Sequence, residues 1–269
     1  MQIRSEVGSI MQKSPLRNFL VDKARIYIFQ TKQDTSEAAA QEAASLLRSA
    51  LAQGGSARII VGTGNSQDDM IRALVQAPGL DWSRMEVFHM DEYVGMSAEH
   101  PASFRRWLKT HLVEIARPGK AHYLQGNAPD SSQECERYAA LLHSAPVDIC
   151  FIGFGENGHI AFNDPGVADF HDPLAVKRVA MDARCRRQQV GEGHFPTLEA
   201  VPMEALTLTC PELLRAEHLI CTVPDQRKAE AVKNALTGPI TEACPSSLVR
   251  THPAAAIYLD ADSASLLPT

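Results

Sequence analysis

Two adjacent carboxylates, Asp91 and Glu92, directly follow the apolar run Met85–Met90. If that run is a strand, its side chains alternate in direction, so one carboxylate can enter a cleft while the other anchors the chain. A partly desolvated carboxylate at a strand end suits a general base that removes a proton next to a carbonyl group. A helix cap or a surface pair is the plainer interpretation of an isolated Asp-Glu pair, so the prediction depends on its neighbours.

A glycine-rich segment, Gly153–Gly158, follows another apolar run and leads directly into His159. Its GFGENG spacing matches the GxGxxG of dinucleotide-binding folds, but that fingerprint needs a helix to open at the third glycine. Here the turn residues of HIAFNDPG follow, so the pattern argues against a nicotinamide site. The glycines instead let the backbone wrap closely around a ligand. With Asp164 nearby, His159 is then a candidate acid/base group, because imidazole titrates near neutrality.

The segment Thr63-Gly64-Asn65-Ser66 joins an apolar run to a helical pattern. Its glycine lets backbone N–H groups turn toward a ligand at a helix N-terminus, which is the usual recipe for a phosphate site. It lacks the lysine of a Walker loop. An ordinary strand-to-helix turn is therefore an equally good interpretation of this segment.

Cations that could hold a phosphate occur in two other places. Arg184, Arg186 and Arg187 form a dense cluster, and Lys228 follows the apolar run His218–Val223. A bidentate grip on phosphate is the functional interpretation, and a solvated face is the alternative. No metal is predicted, because the chain has no HExxH motif and no Cys/His cluster.

Strand patterns alternate with helical patterns along the chain. We predict strands at Arg25–Phe29, Ala57–Gly62, Met85–Met90, Val147–Phe154, Ala205–Thr209, His218–Val223 and Ala255–Leu259. We predict helices at Ser36–Ala52, Asp68–Gln76, Phe104–Ile115, Gln133–Leu142 and Gln226–Leu236. This alternation predicts an α/β fold whose mainly parallel sheet is flanked by helices on both faces. Ligands in such folds lie at the carboxyl ends of the strands, where the polar segments stand.

The organisation along the chain favours a single α/β domain over residues 1–269. Residues 165–202 form the one long segment without a clear pattern and are rich in Pro, Gly and Arg. Loops of that length in compact domains usually serve function, so we expect a lid-like insertion there.

Composition narrows the class of partner. The chain has 26 Lys and Arg against 32 Asp and Glu, a net charge of −6, which argues against nucleic acid and anionic membranes as partners. No apolar stretch is long enough to span a bilayer, and the N-terminal residues do not resemble a signal peptide. The six cysteines include no CxxC pair. We therefore expect a cytoplasmic protein with reduced thiols.

Four segments together resemble the glucosamine-6-phosphate deaminase/isomerase family, which shares its scaffold with 6-phosphogluconolactonases. They are MDEY (Met90–Tyr93), GFGENGHIAFNDP (Gly153–Pro165), GTGNS (Gly62–Ser66) and QRKAEAVKNALTG (Gln226–Gly238). The resemblance implies a Rossmann-like fold. It also implies conversion of glucosamine 6-phosphate to fructose 6-phosphate and ammonia, with no metal or nucleotide cofactor.

The resemblance also implies a role for each matching residue. Asp91 would move a proton between C2 and C1 of the open-chain sugar, and His159, supported by Asp164 and Asn157, would assist ring opening. The residues it implies for substrate binding, mainly at the phosphate, are Thr63, Gly64, Asn65, Ser66, Glu92, Gly158, Arg187 and Lys228.

Departures from the family pattern keep two alternatives open. Many members have Asp where Asn157 stands and Glu where Asp164 stands. A 6-phosphogluconolactonase-type hydrolase would use His159 as the general base for water. A non-catalytic sugar-phosphate sensor would keep the fold without turnover. In each case the partner is a small sugar phosphate, and a homo-oligomer stays open because several family members assemble into oligomers.

Overall fold

A computed structural model of the protein describes residues 14–268. Its strands are β1 (Arg17–Val21), β2 (Ala24–Phe29), β3 (Ala57–Val61), β4 (Met85–His89), β5 (Asp91–Tyr93), β6 (Lys120–Ala121), β7 (Ile149–Ile152), β8 (Val176–Ala180), β9 (Glu204–Leu208), β10 (His218–Val223) and β11 (Ala255–Asp260). Its α-helices are α1 (Lys32–Gly54), α2 (Asp68–Val75), α3 (Phe104–Leu108), α4 (Glu114–Ala116), α5 (Ser131–Leu142), α6 (Ala183–Gly191), α7 (Cys210–Leu213) and α8 (Ala229–Thr237). A π-helical turn, Lys109–Val113, joins α3 to α4, so the predicted helix Phe104–Ile115 is continuous in the structure.

The main sheet has the strand order β1-β2-β11-β10-β7-β3-β4-β6. Every neighbouring pair is parallel except β1 with β2. Side chains of a strand alternate between the two faces, so Ile59 and Val61 pack with α1 and α2, whereas Ile60 packs with α5 and α8. The prediction of a mainly parallel sheet covered on both faces is confirmed.

A second, antiparallel sheet in the order β5-β9-β8 was not predicted. It takes in the predicted strand Ala205–Thr209, which pairs outside the main sheet. The expectation of one irregular lid over 165–202 is wrong in part, because this segment contains β8 and α6. The reason is that β8 reads VKRVA and is too short and cationic to show a strand pattern. Residues 1–13 and Thr269 of the predicted domain lie outside the described residues.

Between residues 14 and 268, the structure contains no helix that combines the length and the apolar character needed to span a membrane.

Arg58 ties β3 to the end of α5. The last carbonyl groups of a helix have no partner within it. The guanidinium of Arg58 donates to two of them, Leu141 O at 2.6 Å and Leu142 O at 3.0 Å, and its Nε lies 3.3 Å from Glu86 Oε2. The side chain of Arg58 is buried. This contact fixes the strand that leads into the Thr63–Ser66 loop.

Replacing Arg58 by Met should lower the free energy of unfolding by about 3 kcal/mol, because buried carbonyl groups and Glu86 lose a charged donor. Urea unfolding followed by circular dichroism measures this loss. The matched control is Arg48→Met, which removes a single hydrogen bond from an exposed arginine to Pro78 O and should change stability by less than about 1 kcal/mol. Equal losses in the two variants would contradict the role given to Arg58.

Candidate active site

A cleft lies where β3, β4 and β7 of the main sheet end. The Thr63–Ser66 loop, Asp91, His159 and Lys228 all line it, so four of the predicted functional segments meet in one place. Aromatic and thioether side chains complete its walls, namely Met90, Phe104, Phe154 and Phe162. A site of this kind, concave and with a few polar groups on apolar walls, is typical of small-molecule binding.

Asp91 stands where the chain leaves the main sheet for the second one. His89, the last residue of β4, contacts Asp91 O through Nδ1 at 2.9 Å, and its Nε2 accepts the N–H of Leu124 at 2.9 Å. Burial lowers the pKa of His89 to about 3, so its ring is neutral and donates from Nδ1. This fixed imidazole holds the backbone at Asp91, a role that sequence reasoning did not anticipate.

The carboxyl group of Asp91 is buried and has no hydrogen-bond partner among the described residues. Burial and, to a smaller extent, the charge of Glu92 raise the pKa of Asp91 well above its ordinary value. A carboxylate in such a position binds a proton more readily than one in water. Asp91 is therefore suited to accept a proton from a ligand in the cleft and to return it.

Glu92 points the other way, as the alternation along β5 requires, and it is fully buried. Its carboxylate accepts hydrogen bonds from Ser103 Oγ at 2.6 Å and from Arg105 Nε at 3.2 Å. It also accepts the backbone N–H of Tyr93 at 3.0 Å. The predicted substrate contact of Glu92 is not among these contacts, which make Glu92 the anchor of β5.

His159 and Asp164 form a pair behind the cleft. His159 Nδ1 lies 3.0 Å from Asp164 Oδ1, which leaves Nε2 of the ring as the nitrogen available to a ligand. Burial alone would raise the pKa of Asp164, but the neighbouring His159 and the amide of Asn157 outweigh it and lower the pKa. Asp164 thus stays ionised and can stabilise a protonated His159.

Asn157 supports this pair without facing the cleft. Its Nδ2 donates to Asp164 Oδ1 at 2.9 Å, and its Oδ1 accepts the backbone N–H of His159 at 3.1 Å. An aspartate at this position could not donate to Asp164. The amide of Asn157 therefore suits the carboxylate that it holds.

Two positions of the GFGENG segment require glycine, each for a different structural reason. A Cβ on Gly155 would overlap the imidazole of His159, so the ring can lie there only over a glycine. Gly158 has φ +85°, and a Cβ on it would come within 3.0 Å of Cys244 Sγ. Gly158 does not line the cleft, so the structure gives it a backbone role in place of the predicted substrate contact.

The Thr63–Ser66 loop follows β3 and lines the cleft. Gly64 adopts φ +99°, and Lys32 Nζ donates to Asn65 O at 3.1 Å. Gln67 Nε2 donates to Ser66 Oγ at 3.3 Å and to Thr222 O at 3.2 Å, which ties the loop to β10. No motif in the sequence singles out Gln67 for this role.

Helix α6 contributes a polar face to the cleft instead of its arginines. Gln188 and Gln189 are buried and line the cleft, whereas Arg187 is exposed and outside it. Arg186 turns to Leu198 O and Val201 O, at 2.6 and 2.9 Å. The structure therefore does not bring Arg187, the predicted phosphate ligand, into the cleft, since it lies on the solvent side of α6.

Lys228 is buried and lines the cleft. Its Nζ lies 3.4 Å from Glu192 Oε1, and Glu192 is also contacted by Gln188 Nε2 at 2.9 Å and His194 Nε2 at 3.4 Å. Sequence reasoning missed Gln188, Gln189, Glu192 and His194 as lining residues. The spacing of Cys185, Gln188 and Gln189 at i, i+3 and i+4 was the available signal for the inward face of α6.

The donor atoms of His159, Asp164 and Cys185 lie within 4.8 Å of one another. Metals bind cysteine as the thiolate. Burial, and after it the charges of Asp164 and Asp91, raise the pKa of Cys185, which keeps it a neutral thiol. These three residues therefore fit a hydrogen-bonded acid/base group better than a metal centre.

Comparison with known proteins places this arrangement in context. Residues 30–258 match the sequence profile of glucosamine-6-phosphate isomerases/6-phosphogluconolactonase. A glucosamine-6-phosphate deaminase of Shouchella clausii is 30% identical over 237 residues, which cover 86% of this chain and 94% of that protein. One from an Exiguobacterium species is 34% identical over 203 residues, 76% of this chain and 78% of its own.

Solved structures agree with the sequence comparison. A monomeric glucosamine-6-phosphate deaminase superposes with a TM-score of 0.83 at 28% identity, over 90% of this chain and 99% of that one. A 6-phosphogluconolactonase from Trypanosoma brucei superposes with a TM-score of 0.73 at 17% identity, over 90% and 98% of the two chains. At that identity the second likeness concerns the fold alone.

Replacing Asp164 by Asn should lower the free energy of unfolding at pH 7 by about 2 kcal/mol, because a buried carboxylate with charged and amide partners is lost. A lowered pKa means that Asp164 stabilises the folded state above the pKa of about 4 in the unfolded chain, and that this contribution disappears as the pH falls through the folded-state pKa. The difference between wild type and variant should therefore shrink in acid. Thermal unfolding between pH 2 and 8 measures it.

Asp69→Asn is the matched control for Asp164→Asn. Asp69 pairs with Lys32 at 3.1 Å and Arg72 at 2.9 Å, but on the surface, so its loss should change stability by less than about 1 kcal/mol. If Asp164→Asn is as stable as wild type at pH 7, the proposed support of His159 by an ionised Asp164 is wrong.

Proposed function

Because the chain belongs to the glucosamine-6-phosphate isomerase/6-phosphogluconolactonase family, we propose that it converts glucosamine 6-phosphate and water to fructose 6-phosphate and ammonia. The observation that carries the proposal is the position of Asp91. It is an unpaired, buried carboxyl group in the same cleft as a histidine that is backed by an aspartate. A reaction that moves a proton between two carbon atoms needs such a base, whereas lactone hydrolysis does not.

In the proposed reaction His159 opens the sugar ring. Nε2 delivers a proton to the ring oxygen as the C1 hydroxyl loses one, which leaves the aldehyde at C1. Asp164 lies 3.0 Å from the other ring nitrogen and stabilises the charge that His159 carries when protonated. Asn157 fixes the carboxylate and the backbone of His159 together, so its part is positioning.

Asp91 then transfers a proton from C2 to C1. It takes the C2 proton, and a proton of the substrate's C2 ammonium group moves to the C1 oxygen, so that the C1=O and C2–N unit becomes an enolamine. Returning the proton to C1 gives an imine at C2, and water replaces the nitrogen, releasing ammonia and leaving the ketone. One fixed carboxyl group that reaches both carbons suffices for the transfer.

The phosphate is assigned to the part of the cleft that Lys228 and the Thr63–Ser66 loop line. Lys228 supplies a cation there, and Thr63, Gly64, Asn65 and Ser66 supply backbone N–H groups and hydroxyls. Binding energy from the phosphate positions the sugar for chemistry at C1 and C2. All of these residues come from one chain, so the proposed reaction needs no second copy. The six free cysteines, each buried, fit the cytoplasm that we propose as its location.

The direct test is a coupled assay for ammonia and fructose 6-phosphate with glucosamine 6-phosphate as substrate. Product formation supports the proposal. Hydrolysis of 6-phosphogluconolactone without ammonia release would make the chain a lactonase. A rise in melting temperature with sugar phosphates, and no turnover of either compound, would make it a sensor.

Asp91→Asn should lower ammonia formation by about 10²–10⁴-fold, the usual effect of removing a general base. It should also raise the free energy of unfolding at pH 8 by about 1 kcal/mol, because a buried, unpaired carboxylate is removed. A raised pKa means that ionisation of Asp91 costs stability only as the pH rises, so the gain should vanish in acid, where Asp91 is protonated. The exposed Asp262→Asn is the control and should leave both rate and stability unchanged. Retained activity in Asp91→Asn would exclude Asp91 as the base.

Gly155→Ala should lower activity by about 100-fold or more, because the added methyl group displaces the ring of His159 from its place beside Asp164. Gly54→Ala is the matched control, since a Cβ there meets no atom within 4 Å. Both variants should remain folded by circular dichroism. Full activity of folded Gly155→Ala would argue against a role for His159 in the reaction.

A further inference from the structure

Glu192 is ion-paired with the one cation that the described part of the cleft offers to an anionic ligand. Among the described residues that line the cleft, Lys228 is the only lysine or arginine. The carboxylate of Glu192 lies 3.4 Å from its Nζ and is itself nearly buried, with 9% of its side chain exposed. The cleft therefore presents a neutral pair at the place where the proposed reaction needs a positive charge.

This carboxylate stays charged over the whole physiological range. Burial works to raise the pKa of Glu192, but His194, Lys228 and Gln188 together outweigh it and lower the pKa to about 2. Protonation therefore cannot free Lys228 at neutral pH. Only movement of the side chain can do so.

We infer that Glu192 is a displaceable counter-ion, which holds Lys228 in the free protein and is replaced by the phosphate of the substrate. The inference rests on the proposed function, which puts a phosphate in this part of the cleft. A carboxylate and a phosphate repel each other at contact distance in a partly desolvated site. Binding of the phosphate is then an exchange of anions on Lys228, and Glu192 sets how tightly phosphate-bearing ligands bind.

The backbone around Glu192 permits this exchange without unfolding α6. The N–H of Glu192 donates to Gln188 O at 2.8 Å and that of Gly193 donates to Val190 O at 3.0 Å, so the main chain is fixed at the end of the helix. Release of Lys228 then requires only rotation of the Glu192 side chain, while its backbone stays in place.

The experiment is calorimetric titration of inorganic phosphate into the intact protein. Glu192→Gln should bind phosphate at least about tenfold more tightly than wild type, because Lys228 loses its competing anion. Glu192→Asp, one methylene shorter, should give a smaller gain in affinity. Its carboxylate lies farther from Nζ but keeps its negative charge. The matched control is Glu230→Gln. It removes a negative charge two residues from Lys228, but an exposed one that faces Arg184 at 3.5 Å, and should change the affinity by less than about twofold.

A double-mutant cycle identifies Lys228 as the contested group. In a Lys228→Met background, Glu192→Gln should no longer tighten phosphate binding. With Lys228 retained, Glu192→Gln that binds phosphate no more tightly than wild type, or does not bind it at all, would overturn the inference. So would a gain that survives Lys228→Met.

The test is separate from that of the proposed function. Phosphate binding is measured without turnover. If Glu192→Gln binds phosphate more tightly but the wild-type protein forms no ammonia, the inference about Glu192 holds and the proposed deaminase activity is wrong. Ammonia formation together with unchanged phosphate binding would do the reverse. Melting temperatures of all variants show whether each is folded.

Discussion

Glu92 and Arg105 form an ion pair closed off from water, and it holds the strand on which Asp91 stands. Arg105 reaches further, to Gln125 Oε1 at 2.6 Å and Asn127 Oδ1 at 3.0 Å, so β5 is tied to the segment that follows β6. A buried ion pair is costly to form and costly to break. Here the ion pair determines the direction in which the neighbouring side chain points. With Glu92 committed to Arg105, alternation along the strand leaves Asp91 no direction except the cleft.

The two carboxyl groups of the site, Asp164 and Asp91, differ in their hydrogen-bond partners and neighbouring charges. Asp164 has an imidazole and an amide beside it and remains an anion, whereas Asp91 has the charge of Glu92 next to it and no donor. Burial acts on both in the same direction, so the difference comes from hydrogen bonding and nearby charge. Opposite shifts of this kind separate a group that transfers a proton from one that stabilises charge.

Much of this arrangement was predictable from the sequence, for physical reasons that can be named. The apolar runs before Thr63, Asp91 and Gly153 are parallel strands buried on both faces, and their carboxyl ends had to meet at one edge. The second sheet was not predictable in the same way, because β5 and β8 have few residues each and β5 pairs with β9 across more than 110 positions. Such pairing depends on tertiary packing and not on local pattern.

Arg187 illustrates what local chemistry cannot decide. A phosphate needs a cation, and the cluster at 184–187 was the densest one in the chain. Which residues of a helix face inward depends on its contacts, and α6 turns Cys185 and Gln188 inward but Arg184 and Arg187 to solvent. The same dependence hid Glu192, whose proximity to Lys228 brings together two residues 36 positions apart.

The net charge of the chain bears on the role of the Lys228–Glu192 pair. A protein with a net charge of −6 does not draw anions toward it from a distance, so recognition of a phosphate has to occur at short range, inside the cleft. A buried ammonium group without a partner is costly, and Lys228 is buried. Glu192 offsets that cost while the cleft is empty, and a bound phosphate offsets it afterwards. The carboxylate that competes with the ligand is thus also what keeps an ionised lysine in place to receive it.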